Sequence, residues 1–580
     1  MPENSTFLPV TREEMQRLGW DRPDIVLVSG DAYVDHPAFG TAVMGRLAEK
    51  CGLRVAILPQ PNWRDDLRDF KKLGEPAYFF GVTAGAMDSM VNHYTARLRL
   101  RSDDAYTPGG RAGQRPDLPS IVYTRILKQL YPETPVLLGG VEASMRRFAH
   151  YDYWQDTLRP SILTESGADM LIYGMGEMAF LRIIELMSKG VPFTSLHNIL
   201  QTAYVVEAGG QIPGLKGYEE TVLPSYEDCQ SDKQHFADAF RILETASNSW
   251  KSNRLVQPHH DRRVVVNPPY PPLDQEQVDM PYDLPYTRLP HPKYRKKPPI
   301  PAYEMSRFSV TLHRGCFGGC SFCAIAAHQG KFVVSRTEAS IIKEVEQVVN
   351  MPGFKGQISD LGGPTANMYK MGGIDPALCR KCKRASCIYP GICQNLNYDH
   401  HPLLKLYDRV QAVKGVKKIN IGSGLRHDML VDRPSHVTER YGLQAYLERV
   451  FRHHISGRLT VAPEHTEPHV LKAMRKPSFR SFELFYKKFR QVCRSENLPW
   501  QIVPYFISGH PGCREADMKS LANSVKRLGL RPEQVQEFTP TPMTLATTMY
   551  YTGMDPYTRK DLYVARGHAK KQKQKSYFFR

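Results

Sequence analysis

After Glu304 a short apolar run followed by a helical pattern recurs six times, and no other feature of this 580-residue sequence restricts the fold so tightly. The runs are FSVTLHR (308–314), GQISDLGG (356–363), KKINIGSG (417–424), GRLTVAPE (457–464), QIVPYFISG (501–509) and QVQEFTP (534–540). Such runs are strands covered on both faces, and parallel strands joined by helices predict a partial (β/α)6 barrel. In the first helix Ile341, Ile342, Val345, Val348 and Val349 share a face behind a Thr337 or Ser335 cap. Residues that do chemistry on a barrel sit just past the carboxyl ends of its strands. Here those ends are a cysteine loop, Gly362-Gly363-Pro364, Ser423-Gly424, Pro463-Glu464-His465, Ser508-Gly509-His510 and Thr539-Pro540-Thr541-Pro542, which together suggest one shared ligand site.

The chain is too long for a single core. From Asp24 a separate alternation gives strands at 25–30, 54–60, 78–84, 135–141 and 169–177, predicting a doubly wound parallel sheet with ligands at the carboxyl ends. Proline then accumulates, with Tyr270, Tyr282 and Tyr286 among the prolines, so an extended connector should wrap a surface. The expected organisation is a doubly wound α/β domain at 1–247, a proline-rich connector at 248–301, the barrel at 302–565 and a basic tail at 566–580.

No apolar stretch is long enough to span a bilayer and no signal-peptide pattern opens the chain, so a cytoplasmic protein without membrane association is expected. In a reducing compartment clustered thiols are metal ligands more often than disulfides. Seven of the eleven cysteines fall between Cys316 and Cys393. Cys316, Cys320 and Cys323 form a C-x3-C-x2-C loop among Gly315, Gly318 and Gly319. A structural site takes four protein ligands, so three on one loop point to a [4Fe-4S] cluster with one iron left open. Cys379, Cys382, Cys387 and Cys393 follow between the second and third barrel strands, in an insertion at 379–393, and can close a second site for zinc or an auxiliary iron-sulfur cluster. Lys381, Lys383 and Arg384 should lower the pKa of those thiols.

The cysteine loop after the first barrel strand, with Phe322 just before its last cysteine, resembles the radical S-adenosylmethionine (SAM) superfamily. RFSVTLHRGCFGGCSFCAI, ISDLGGPTANMY, APEHTEPHVLKAMRKP, PYFISGHPG and TPMTLATTMYYTG, with GDAYVDHPAFG, GVTAGAMDSM and HYDYWQDT in the first domain, are similar to the YgiQ family within it. The resemblance implies a [4Fe-4S] cluster on Cys316, Cys320 and Cys323, and reductive cleavage of SAM to methionine and a 5′-deoxyadenosyl radical that attacks an unknown substrate. It implies SAM contacts from Phe322, from Gly362, Gly363 and Pro364, and from Ser423 and Glu464. It implies an electron donor such as flavodoxin or ferredoxin, and no protein base, so catalytic residues are unassigned. The resemblance implies a longer polar C-terminal extension in other members, so any role of that extension is expected to be absent or dispensable in a sequence that stops at Arg580.

The first domain is similar to a cobalamin-binding domain, but Asp35-His36-Pro37-Ala38-Phe39-Gly40 carries the residues of D-x-H-x-x-G at the wrong spacing, and cobalamin is not expected. Gly174-Met175-Gly176-Glu177-Met178-Ala179 fits G-x-G-x-x-A but follows the last strand of that domain, and reads as a tight turn. A net charge of +18 tilts the substrate class toward RNA, with Arg295-Lys296-Lys297 and the tail (Lys570, Lys571, Lys573, Lys575, Tyr577, Phe578, Phe579) as basic runs. The alternative is a non-catalytic iron-sulfur or zinc protein that binds nucleic acid.

Overall fold

The computed structural model describes residues 6–530 and 535–578, so Gln534 and Phe579 lie outside the described residues. Ile25–Ser29 (β1), Val55–Pro59 (β2), Phe79–Thr83 (β3), Val136–Gly139 (β4) and Met170–Ile172 (β5) form a parallel sheet in the order β2-β1-β3-β4-β5. Alternation inside each strand supplies two cores. Ile25, Leu27, Ile57, Phe79 and Leu137 face helices Gly40–Lys50 and Glu177–Ser188, while Val26, Val28, Leu58, Phe80 and Val136 face helix Pro119–Leu130. Each such fully buried aliphatic side chain contributes about 1.5–3 kcal/mol. Strand order reverses beside β1, and ligands bind at that kind of reversal in open α/β sheets.

Four further strands extend this sheet beyond β5: Thr202–Glu207 (β6), Glu220–Val222 (β7), Arg254–His259 (β8) and Arg262–Val266 (β9), in the order β5-β6-β9-β8-β7. The first domain therefore runs to Val266, and the connector begins at Asn267 instead of residue 248. The β8–β9 hairpin escapes a search for buried parallel strands because it pairs antiparallel and turns at His260 with φ +50°. From Asn267 the chain wraps the surface and buries Tyr282 and Tyr286.

The barrel strands are Ser309–Thr311 (β10), Asp360–Gly362 (β11, preceded by Gln357–Ile358), Lys418–Ile419 (β12), Arg458–Glu464 (β13), Gln501–Ser508 (β14) and Val535–Glu537 (β15). Parallel ladders join β10 to β11, the start of the second strand to β12, and β13 to β14 to β15. Among the described residues no ladder joins β12 to β13; the Ile421 N–H donates to the His454 carbonyl there, at 3.0 Å. Helix Glu338–Val349 is capped by Thr337, whose hydroxyl accepts from the Ser340 N–H. Its buried stripe is Ile341, Glu344, Val345 and Val348, so a carboxylate occupies a core position.

That carboxylate fastens the two domains together. Glu344 lies between Arg336 and Arg288, the latter at 2.7 Å, and Arg288 also reaches His36 at 2.9 Å. Arg288 belongs to the connector, which thereby ties a first-domain histidine to a barrel helix. Residues 566–578 are no free tail: helix His568–Ser576 docks on the barrel, with Lys571 buried and its ammonium 2.6 Å from the Tyr153 hydroxyl and 4.3 Å from that ring. Lys573 pairs with Glu515 at 3.0 Å, and Phe578 stacks on Phe506. Most of the tail's charge is thus spent on the protein itself, while Arg295, Lys296 and Lys297 remain exposed.

Candidate functional site

Residues 315–323 turn tightly because glycine stands where nothing else fits. Gly315 has φ +80°, and a Cβ there would lie 2.3 Å from the Phe332 carbonyl oxygen; at Gly319, φ is +62° and a Cβ would meet the Ala385 oxygen at 2.5 Å. The loop is gripped by elements that follow the later strands. Ser321 accepts from the Ala546 N–H (2.8 Å), donates its own N–H to Met474 (3.0 Å), and sets its hydroxyl 3.1 Å from His510 Nε2. Phe322 packs edge-on to His510, with ring centroids 6.1 Å apart.

The three thiols are half-buried and unoxidised. Burial pushes Cys323 up to about 12, with Cys320 and Cys316 adding to the rise, and burial also raises Cys316. A cation opposes this: Arg426 Nη1 donates to Cys320 Sγ at 3.3 Å while the same guanidinium grips Asp428 at 2.9 and 2.7 Å. Burial acts against the charge on Arg426, but Asp428 outweighs it and holds the guanidinium charged. Arg426 was not among the residues expected at the site. Its signal was present two positions past the Ser423-Gly424 strand end, as an Arg-x-Asp pair that can neutralise itself in a buried place.

Thiolates are the ligands of an iron-sulfur cluster, and three on one loop can each bind a different iron of it. Among the described residues only Glu467, His469 and Asp517 bring three ligating atoms within 4.8 Å of one another. Neither cysteine set converges on a single ion, which in a tetrahedral thiolate site would hold its sulfurs about 3.8 Å apart. A cluster spreads its ligands more widely, because each sulfur binds a different iron.

A crevice of about 630 Å³ opens between the two domains. Ser29, Asp31 and Thr83 reach it from the β1/β3 reversal, and Arg314, Gly362 and Gly363 from the barrel. Pro364 and Asp360 line it too, so the glycine-rich strand end expected to meet SAM does face a cavity. Its size is that of small-ligand sites. Burial lifts Asp31 to about 6, although Arg115 opposes the shift from 2.7 Å. Arg314 crosses the domain boundary to Glu177 and donates to the Tyr282 hydroxyl at 3.0 Å. Gly174, where a Cβ would lie 2.8 Å from the His328 oxygen, makes the turn that brings Glu177 there.

Ser423 and Glu464 are placed outside this cavity. Ser423 caps Asp360 through its hydroxyl and, at 3.1 Å, its N–H. Glu464 is buried with φ +69°, 3.7 Å from Lys476, and burial raises its pKa against the pull of Lys476 and Arg426. Asp35 is occupied by Arg46 at 2.6 Å, and His36 is buried against Arg288. In the insertion, burial pushes Cys387 up to about 11, and the opposing cation is Lys331. Arg384 turns instead to the carbonyls of Tyr389 and Gly391, at 3.0 and 3.2 Å.

The barrel, its three-cysteine loop and the preceding doubly wound domain define a radical SAM protein, and residues 7–309 match the family described as radical SAM N-terminal. Residues 533–580 match a domain of unknown function (DUF3362). A UPF0313 protein of Bacteroides thetaiotaomicron is 54% identical over 584 residues, covering 99% of this chain and 94% of that protein. UPF0313 protein YgiQ of Escherichia coli K12 is 43% identical over 628 residues, covering 98% and 83%. The chain belongs to the UPF0313 (YgiQ) family. In fold it is similar to the radical SAM methyltransferase TsrM of Kitasatospora setae, solved with cobalamin and a [4Fe-4S] cluster, at a TM-score of 0.50 and 13% identity over 95% of this chain and 90% of that one. That likeness gives no support to the expectation that cobalamin is absent here. Family membership implies SAM and a [4Fe-4S] cluster. No described helix is long and apolar enough to cross a membrane.

Proposed function

We propose that this protein is a radical SAM enzyme that reductively cleaves SAM and turns the resulting 5′-deoxyadenosyl radical on a substrate held in the interdomain crevice. The observation that carries this reading is a loop with three thiols and no fourth, gripped by elements that follow the later strands and touched at Cys320 by the buried Arg426. Cys316, Cys320 and Cys323 would hold the [4Fe-4S] cluster, which when bound supplies the electron that breaks the SAM sulfonium. Arg426 donates to a ligand sulfur and balances its charge, while Asp428 holds the guanidinium in place. Ser321, His510 and Phe322 fix the loop from behind. Gly362 and Gly363 open the crevice wall at the strand end where the resemblance places SAM. Arg314 and Glu177 hold the crevice's two sides together.

The crevice sits at a strand-order reversal, and the similarly folded methyltransferase holds cobalamin, so a corrinoid is a second ligand to test here. His36 is engaged by Arg288 and would not serve it as a cobalt ligand. The net charge makes RNA the first substrate class to screen. The deciding experiment is anaerobic reconstitution followed by dithionite and SAM. 5′-Deoxyadenosine should form with the wild type and not with a Cys316, Cys320, Cys323 triple alanine variant; a cluster-loaded wild type that releases none would overturn the reading.

A further inference from the structure

The insertion between the second and third barrel strands presses against the three-cysteine loop. The Cys387 N–H donates to the Phe317 carbonyl at 3.0 Å, and the Ser386 hydroxyl lies 3.1 and 2.9 Å from the carbonyls of Phe317 and Gly318. The insertion is closed at its base, where Gly372 and Gly373 pair antiparallel with Asn397 and Leu396. Its four cysteines are free and half-buried, and hydrogen bonds join them in pairs: Cys382 N–H to Cys379 at 3.1 Å, and Cys393 N–H to Cys387 at 2.8 Å.

Two side chains point polar hydrogens at these sulfurs. Asn395 Nδ2 lies 3.4 Å from Cys379 Sγ. Lys331 Nζ lies 3.9 Å from Cys382 Sγ and 2.6 Å from the Arg384 carbonyl oxygen. Lys331 is only 2% exposed, and no carboxylate among the described residues pairs with it. A buried ammonium without a counter-charge is costly, so something anionic belongs beside it, and the thiols are what it faces. Gly373 shows how closely the backbone approaches: a Cβ there would lie 2.2 Å from Cys379 Sγ.

We propose that Cys379, Cys382, Cys387 and Cys393 hold a second iron-sulfur cluster, with every iron bound by the protein, docked behind the three-cysteine loop. Among the described residues no three of these sulfurs lie within 4.8 Å of one another, wider than the about 3.8 Å between the sulfurs of a tetrahedral zinc site, and zinc is the alternative the metal content decides. Four thiolates complete the ligation of a [4Fe-4S] cluster and leave no iron for SAM. Summed bond lengths across the Cys387–Phe317 contact put Cys387 Sγ within ~18 Å of Cys316 Sγ. The inner site is open and this one closed. The proposal stands whether or not the activity above is found.

The test is iron, acid-labile sulfide and zinc per chain in anaerobically purified protein, with EPR of the reduced state. Wild type should carry about eight iron and eight sulfide, and about four in either the Cys316, Cys320, Cys323 triple alanine variant or a Cys379→Ala, Cys393→Ala double variant. The signal left in the triple variant should ignore SAM, and that left in the double variant should shift with it. Wild type with about four iron, all of it lost from a triple variant whose far-UV circular dichroism matches wild type, would overturn the proposal, with or without stoichiometric zinc. The wild-type and triple-variant counts decide even if the insertion variants fail to fold. A failure of the inner site is seen separately, as a double variant whose signal does not respond to SAM.

Discussion

Replacing Glu344 by Gln keeps the shape of a side chain that holds two arginines and removes the charge that makes the arrangement tolerable. Glu344 is 3% exposed, Arg288 3% and Arg336 0%, so the variant leaves two guanidinium groups buried side by side. At an effective dielectric near 20 and a separation near 4 Å each lost attraction is about 4 kcal/mol. The variant no longer bears the cost of burying a carboxylate, which offsets part of this, and breaking a buried pair from one side costs about 3–5 kcal/mol. Because Arg288 also holds His36, the loss should appear as opening of the connector against the barrel. Hydrogen exchange of 287–291 and of helix Glu338–Val349 should quicken about 10²- to 10³-fold, whereas Lys343→Gln on the same helix, exposed and 3.4 Å from Asp283, should change little. The pH dependence follows from the same contacts. Burial acts to raise the Glu344 carboxyl, but Arg336 and Arg288 outweigh it and hold its pKa below the ordinary value. A carboxyl depressed in the folded state stabilises above its unfolded pKa and loses that contribution as pH falls through the folded value. Wild-type protection should therefore decline in acid, and the Gln variant should lack that decline. Exchange rates within threefold of wild type at neutral pH would refute the clamp.

Arg426→Lys should lose the contact to Cys320 and part of the grip on Asp428, and lower the reduction potential of the inner cluster in an EPR-monitored titration, since a cation beside the ligand sulfur favours the reduced, more negative state; an unchanged potential would remove Arg426 from the site. Gly319→Ala, whose Cβ would lie 2.5 Å from the Ala385 oxygen, should abolish cluster incorporation at the loop while circular dichroism stays native, and a variant that loads normally would show that the loop tolerates opening. Lys571→Met should loosen helix His568–Ser576, read as faster proteolysis after Gly567. Burial lowers Lys571 to about 8, so in wild type the folded state sheds its proton before the unfolded state does, and docking should tighten as pH rises through 8; the Met variant should show no such trend.

Much of this protein is written locally. The apolar runs locate β1–β5 and the barrel strands and set their starts to within a residue, because buried strands are rich in apolar residues, but they overrun several ends, as at 169–177 against Met170–Ile172 and 417–424 against Lys418–Ile419. The spacing of Cys316, Cys320 and Cys323, and the glycines that let the chain turn between them, are equally local, and so is the four-cysteine insertion. What local pattern cannot show is pairing over long separations. The β8–β9 hairpin reads as part of the connector until its antiparallel neighbours are known, and the basic tail reads as a free arm until Lys571 is found against Tyr153. Arg426 is an ordinary charged residue in the sequence, and becomes a partner of Cys320 only when the barrel closes and brings the end of β12 to the loop after β10. Glu344 breaks an otherwise apolar stripe, and only the fold supplies Arg288 and Arg336 to make that position stable. Sequence alone located most of the strands and the clustered thiols, which depend on neighbours a few positions apart. The tertiary structure decided charge compensation, the crevice and the contact between the two cysteine sets, because each joins residues that meet only after the chain has folded.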